Sequence, residues 1–152
     1  MKIVRSILAV VIGLVVSMAS ITLIHGIGQR LYPLPEGVDP NDMEKLKELI
    51  PTMPIGALIM VVLAWESGAF FGGAAGALIA GRGRCWHAGI IGGLVLAATI
   101  ANLWMLQGHP DWMIVAGLLL PLPVSLLAGK VVSMMFAPAT QDSAPTPSMS
   151  HP

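Results

Sequence analysis

Four long runs of apolar residues, separated by short polar segments, dominate the pattern along the chain. They cover about residues 6–28, 54–80, 88–107 and 112–136. A helix needs about 20 residues at ~1.5 Å each to cross a bilayer core of ~30 Å, so each run is long enough to span a membrane. Polarity does not alternate at every second residue, as the strands of an outer-membrane barrel require. The pattern therefore predicts an all-α fold, an integral membrane bundle of four helices.

The composition agrees with a membrane protein and argues against a soluble domain. Hydrophobic residues make up 55% of the 152 residues and charged residues only 11%, too few to cover a soluble surface. Eight basic and eight acidic residues cancel, so no net charge favours nucleic acid. The single cysteine excludes an intramolecular disulfide and a cysteine-based zinc site. We expect the lipid bilayer as a partner, with no nucleic acid, cofactor or metal.

The first apolar run has an alternative interpretation as a signal peptide. Lys2 and Arg5 resemble the basic start of such a signal, and residues 17–19 (Ser-Met-Ala) resemble a cleavage site of small residues. The apolar stretch nevertheless continues through Ile27 to full membrane length. We therefore expect a spanning helix, and sequencing the mature N-terminus distinguishes the two possibilities.

Basic residues close to the spans predict the orientation in the membrane. The side that holds both termini would carry five of them: Lys2, Arg5, Arg82, Arg84 and Lys130. The opposite side would carry three, together with most of the acidic residues: Arg30, Lys45 and Lys47. Because basic residues collect on the cytoplasmic side, we expect a protein of the bacterial inner (plasma) membrane with both termini in the cytoplasm.

The one long loop, residues 31–53, contains a candidate short helix. Asp39 and Pro40 suit an N-cap and a first helical position, and apolar residues recur at helical spacing as far as Ile50. We expect an amphipathic helix over about 40–50, on the outer membrane surface or over the end of the bundle. A calcium loop does not fit, because its glycine position holds Glu44.

The end of the chain differs in composition from the rest. Residues 137–152 are rich in Pro, Ser, Thr and Ala and have no periodic apolar face. This composition predicts a disordered cytoplasmic tail, which follows a membrane domain formed by residues 1–136.

The second span is unusually rich in small residues, which let helix backbones approach closely. Two motifs of small residues spaced four apart overlap in it, at positions 68-72-76 and 69-73-77. At about 100° per residue, five small residues share one candidate packing face: Ala69, Gly73, Gly76, Ala77 and Ala80. The face either packs within the bundle or joins copies of the chain into a homo-oligomer, and the sequence leaves both open.

Glu66 is the one ionisable residue within the second span, close to mid-membrane. An ionised group at that depth costs roughly 2.5–3.5 kcal/mol on translocon scales, so we expect it to face protein or water, or to be protonated. The candidate polar partners are His25 in the first span and Asn102 in the third. Two interpretations remain: a neutral acid with a structural hydrogen bond, or a site coupled to protons or cations.

The fourth span contains Pro121-Leu122-Pro123 near its middle. Each proline removes an amide donor and clashes with the preceding turn, so a kink is expected. The carbonyls of Gly117 and Leu119 lose their helical donors. Broken helices form ion sites in some transporters, although prolines are also common in ordinary membrane helices.

Several short motifs in the first 85 residues resemble a known family. The motifs are Lys2 to Arg5 before an apolar helix, Tyr32-Pro33, Leu49-Ile50-Pro51, Trp65, Gly68, Gly72-Gly73 and Ala80-Gly81-Arg82. In them the chain resembles small bacterial inner-membrane proteins with four helical spans, a family of unknown function. The resemblance implies a multi-pass membrane protein and no catalytic residues. The lone embedded acid is also similar to that of small multidrug transporters, but there it lies in the first helix and the loops are short.

Two classes of function follow from these observations. In the first, the chain is a non-enzymatic accessory, assembly or envelope component that acts through helix–helix packing with a membrane protein or a second copy. In the second, it is a small oligomeric transporter or channel that uses Glu66 as a protonatable site. An enzyme is not expected, because Cys85 and His87 have no further catalytic or ligating residues near them in sequence.

Overall fold

A computed structural model describes residues 2–39 and 42–136. These residues form six α-helices and one 3₁₀ turn, with no strand among them: α1 Lys2–Leu31, α2 Met43–Leu49, the 3₁₀ turn Ile50–Thr52, α3 Ile55–Ala80, α4 Arg84–Met105, α5 Asp111–Leu119 and α6 Pro121–Met135. Four helical stretches are long and apolar enough to cross a membrane, namely α1, α3, α4, and α5 with α6 taken together. The prediction of an all-α chain with four such helices is confirmed. The predicted tail, residues 137–152, lies outside the described residues.

The connection between α3 and α4 is tighter than the apolar pattern predicts. Gly81 (φ 71°) and Gly83 (φ 62°) both have the left-handed backbone that glycine tolerates best. The chain therefore reverses over three residues, and α4 begins at Arg84 rather than at residue 88. Polar residues at positions 84–87, which the sequence assigns to the loop, form the first turn of that helix.

The loop between α1 and α3 contains the short helix α2, which begins at Met43. Asp42, not Asp39, is its N-cap, and its carboxylate Oδ1 accepts a hydrogen bond from the Lys45 backbone N–H at 3.2 Å. This bond lowers the pKa of Asp42. The predicted start overlaps Pro40 and Asn41, which lie outside the described residues.

α3 is the centre of the bundle, because it packs against α1, α4 and α6, whereas α1 makes no contact with α5 or α6. α4 and α6 also pack on each other and form a three-helix cluster with α3. α1 contacts α4 much less than it contacts α3. We call the end of the bundle that carries the start of α1 and the end of α6 the terminal side, and the end that carries α2 the loop side.

The two motifs of small residues on α3 serve different neighbours. A Cβ added at Gly72 would lie 2.7 Å from the carbonyl oxygen of Gly13 on α1, and one at Gly76 would lie 3.2 Å from that of Ala9. On another face of α3, a Cβ at Gly73 would lie 3.1 Å from the carbonyl oxygen of Ser125 on α6. The backbone of α1 thus approaches α3 closely at positions 68, 72 and 76. α4 and α6 approach it at positions 69, 73 and 77.

Polar contacts tie the helix ends together on the terminal side. Arg5 donates from Nε to the carbonyl of Ile79 at 2.6 Å. Its positive charge also lies at the negative, C-terminal end of the α3 dipole, and this interaction is stabilising. Arg84 lies 5.3 Å from the centre of the Phe136 ring. These contacts join the start of α1 to the end of α3 and the start of α4 to the end of α6.

Replacing Gly72 by alanine is expected to lower the free energy of unfolding by about 1–3 kcal/mol, because the new methyl group forces α1 away from α3. Thermal unfolding in detergent measures the change. The matched control is Gly93→Ala on α4, where a Cβ would meet nothing within 4 Å, so the control should be neutral or stabilising by up to ~1 kcal/mol. Equal stabilities of the two variants would contradict the close approach of α1 and α3.

Candidate functional site

Glu66 is the twelfth of the 26 residues of α3 and so lies near the middle of a membrane span. Both of its carboxyl oxygens are buried, and neither has a hydrogen-bond partner among the described residues. A buried polar group without a partner is costly, and in hydrocarbon no water can replace the missing bond. Glu66 is therefore the main chemical anomaly of the bundle.

The face of α3 that carries Glu66 is directed at the fourth span. Val62 lies four residues before Glu66, and Ala69 and Gly73 lie three and seven residues after it. This is the spacing of residues on one helical face. Val62 belongs to a buried cluster with Met113 of α5, and Gly73 faces Ser125 of α6. Ala69, at the edge of this face, packs in a cluster with Ile91 and Val95 of α4 and Val124 of α6.

The depth of Glu66 along the fourth span follows from two further contacts. A Cβ added at Gly117 would lie 2.8 Å from the indole ring of Trp65, and Gly73 faces Ser125. Trp65 and Gly73 are eight residues apart in α3, and their partners Gly117 and Ser125 are also eight residues apart in the fourth span. Glu66 is therefore level with Leu118, within one turn of the point where α5 ends and α6 begins.

The predicted break in the fourth span lies at Leu120. The amide of Leu120 still donates to the Ala116 carbonyl at 3.0 Å, and Val124 donates to the Leu120 carbonyl at 3.0 Å. Between these bonds, Pro121 and Pro123 have no N–H, so the Gly117 and Leu119 carbonyls lack their helical donors. A neutral Glu66 has one O–H that such a carbonyl can accept, whereas an ionised Glu66 would add a third oxygen group suited to a cation.

His25 and Asn102, the two candidate partners of Glu66, lie elsewhere. Both line a cleft of about 250 Å³ between α1 and α4, floored by Trp65. Neither forms a hydrogen bond with Glu66, because the carboxyl oxygens have no partner among the described residues. The structure therefore brings His25 and Asn102 into one cleft and places Glu66 on a different face of α3.

The cleft exists because α1 and α4 diverge. They meet on the terminal side, where Ser6 Oγ lies 2.6 Å from His87 Nε2 and where the Ile91 side chain packs on Gly13. Beyond Ile91 the two helices separate towards the loop side, and the cleft opens between them. A second cavity of about 220 Å³ lies under α2, and His25 lines both spaces.

The candidate packing face is buried inside the bundle. All five of its residues are buried, against α1, α4 and α6: Ala69, Gly73, Gly76, Ala77 and Ala80. Within the described residues, helices of the same chain cover this face. A second copy cannot reach the face while the neighbouring helices occupy it.

The remaining histidines and the cysteine have structural or peripheral positions. His87 Nδ1 donates to the Gly83 carbonyl at 2.9 Å, which leaves Nε2 to accept from the Ser6 hydroxyl. Burial lowers the pKa of His109 in the turn between α4 and α5. Cys85 is exposed. The described residues contain no group of three or more His, Cys, Asp or Glu arranged for a metal ion.

Three contacts that organise these sites were not anticipated from the sequence. They are the Ser6–His87 pair, the Arg5–Ile79 bond and the hydrogen bond from Ser17 Oγ to the Gly68 carbonyl at 2.9 Å. The sequence places Ser17 within the first span, but the pattern of the chain does not identify the helix that Ser17 faces.

Comparison of the chain with protein-family models, with curated proteins and with solved structures gives no match.

Proposed function

We propose that the chain is a non-enzymatic multi-pass protein of the bacterial inner membrane, an accessory, assembly or envelope component that works by packing against another membrane protein. The observation that carries the proposal is the one-sided attachment of α1. Only 17% of its most apolar stretch is buried, compared with 28–39% for the other spans. Most of the circumference of α1 is therefore available to a partner.

The outward face of α1 supports docking of another helix. Ala19 and Thr22 are exposed there, and a Cβ added at Gly26 would meet nothing within 4 Å. The three residues follow a spacing of three and four and so share a face, opposite the face that meets α3. Small residues on a lipid-facing helix leave room for a second backbone to approach.

Affinity capture of the full chain from native membranes tests this proposal. The wild type should bring down a membrane protein in stoichiometric amount, and Gly26→Leu should reduce that amount about tenfold by blocking the close approach. The control is Gly93→Leu, since Gly93 is also a glycine with open space but lies on α4. The same recovery with both variants, or no partner of the wild type, contradicts the proposal.

The proposed orientation places both termini in the cytoplasm. Support comes from the charges at the two ends of the bundle. On the terminal side Arg5 and Arg84 contact the ends of α3 and α6, and Arg82 lies in the adjoining turn. Acidic residues of the long loop lie on the other side, and basic residues collect on the cytoplasmic side of membrane proteins.

Labelling of Cys85 tests the orientation. Cys85 is the single cysteine of the chain, is exposed and lies at the terminal side. A membrane-impermeant maleimide added to intact spheroplasts should leave it unlabelled, and lysis should expose it to the reagent. Labelling before lysis would mean that the termini lie outside.

A second candidate function is a small oligomeric transporter or channel that uses Glu66 as a protonatable site. It is favoured by one specific observation, namely that both carboxyl oxygens of Glu66 lie at the level of the α5–α6 break without a hydrogen-bond partner in the described part of the chain. Acids within membrane spans often mark proton or ion pathways.

Glu66→Gln separates a structural acid from a coupling site. For a structural neutral acid, the amide should change the free energy of unfolding by less than about 1 kcal/mol, because it keeps the shape of the side chain and a hydrogen-bond donor. A structural acid leaves ion or proton flux in proteoliposomes unchanged, whereas a coupling site loses it. Glu48→Gln, an exposed acid of α2, is the control. Wild-type proteoliposomes without flux would exclude the transport function.

A further inference from the structure

The cleft between α1 and α4 has the length of one leaflet of a bilayer. Its lining on α1 runs from Leu14 to His25, which is about 16 Å of helix at ~1.5 Å per residue. Half of a bilayer core of ~30 Å is ~15 Å. Leu14 lies near the middle of the apolar run 6–28 and His25 lies near its loop-side end, and Trp65 of α3 lies behind the loop-side part of the cleft. The cleft therefore extends from about mid-membrane to the surface on the loop side.

The lining changes from apolar to polar along this length. At the deep end Leu14, Leu94 and Val95 surround the space, and at the loop-side end His25 and Asn102 face each other across it. This is the polarity of an amphiphile whose chain lies in the membrane and whose head group lies at the surface. Water is not expected at the deep end of the cleft, because apolar cavities stay dry.

The volume of the cleft excludes a helix from a partner or from a second copy. A helix is at least ~10 Å across, so a segment of the same length would occupy more than ~1,000 Å³. The whole space between the two helices, counted out to the open side of the cleft, is about 710 Å³, and it narrows where Ile91 meets Gly13. A single acyl chain is the bilayer component that is long, thin and flexible enough to enter it.

We propose that the cleft between α1 and α4 binds one acyl chain of a phospholipid from the loop-side leaflet, with its head group at His25 and Asn102. The cavity under α2, which shares His25, gives the head group space at the bundle end, beside Gln29 and Tyr32. The site is separate from the outward face of α1 that we assign to a protein partner. Each proposal therefore stands or fails by its own experiment.

Quenching of Trp65 by brominated phosphatidylcholine tests the proposal in vesicles. Trp65 is only 5% exposed, and replacing Trp86, Trp104 and Trp112 by phenylalanine leaves it as the single indole. Gly68 pairs with Ser17 and Ile21 of α1, so Trp65, one turn nearer the loop side, is level with the loop-side part of the cleft. Bromine close to the head group should therefore quench Trp65, and bromine near the chain end, at the level of Leu14, should quench it much less.

Two substitutions on neighbouring residues of α4 provide the comparison. Ala98 lines the cleft, so Ala98→Phe should fill it and reduce the quenching of Trp65 about tenfold. Ala97 is exposed but does not line the cleft, so Ala97→Phe should leave the quenching unchanged. Unquenched Trp65 in the parent protein, or the same quenching in both variants, would overturn the proposal.

Native mass spectrometry of the full chain gives a second measurement that needs no variant to fold. After washing in detergent, the wild type should retain one phospholipid per chain. No retained lipid, or a broad distribution that the wash removes gradually, would identify ordinary annular lipid and overturn the proposal. A dimer that retains no lipid would likewise overturn the proposal.

Discussion

The close approach of other helix backbones to α3 is the constraint on which the rest of the structure depends. In a bilayer, helices gain little from burying apolar surface, so association rests on dispersion contacts and interhelical hydrogen bonds at short range. α3 allows such a close approach on two faces, because the backbone of α1 lies close to Gly72 and the backbone of α6 lies close to Gly73. The Ser17–Gly68 hydrogen bond forms only because the first of these faces has no side chains in the way.

This arrangement also determines which surfaces remain for function. The small residues of α3 are buried against other helices of the same chain, so a partner cannot contact them. What faces the bilayer instead is the outer side of α1 and the cleft that opens where α1 leaves α4. Both arise from the same feature, since a helix held mainly by α3 is free on its other sides.

The sequence predicts the four spans well, because a run of about 20 apolar residues has few alternatives in a protein. It also predicts the break at Pro121, where the chemistry of proline is local. The sequence does not identify which helices lie next to each other. Periodicity places Glu66, Gly73 and Ala77 on one face of α3, but it does not say that α5 and α6 cover that face. His25 and Asn102 were therefore paired with an acid from which the body of α3 separates them.

The start of α4 was misplaced for a different reason. Polar residues after Gly83 resemble a loop by composition, but helix formation needs only backbone geometry and a partner for each amide. Gly81 and Gly83 complete the reversal in so few residues that Arg84 already belongs to the next helix. His87 then falls on the side of α4 that meets Ser6. Local turn geometry thus decided a contact between two helices that are distant in sequence.

Glu66 and the proline break are two separate anomalies in the sequence, and the fold places them at one depth on facing helices. Each alone leaves polar groups without partners in hydrocarbon, which is costly. Together they are complementary in one protonation state only. A neutral carboxyl has a donor that a carbonyl freed by Pro121 or Pro123 can accept, whereas a carboxylate has none. Because both carboxyl oxygens of Glu66 lack a partner among the described residues, a proton on Glu66 lowers the cost of burial at this depth and adds the kind of donor that the proline break lacks.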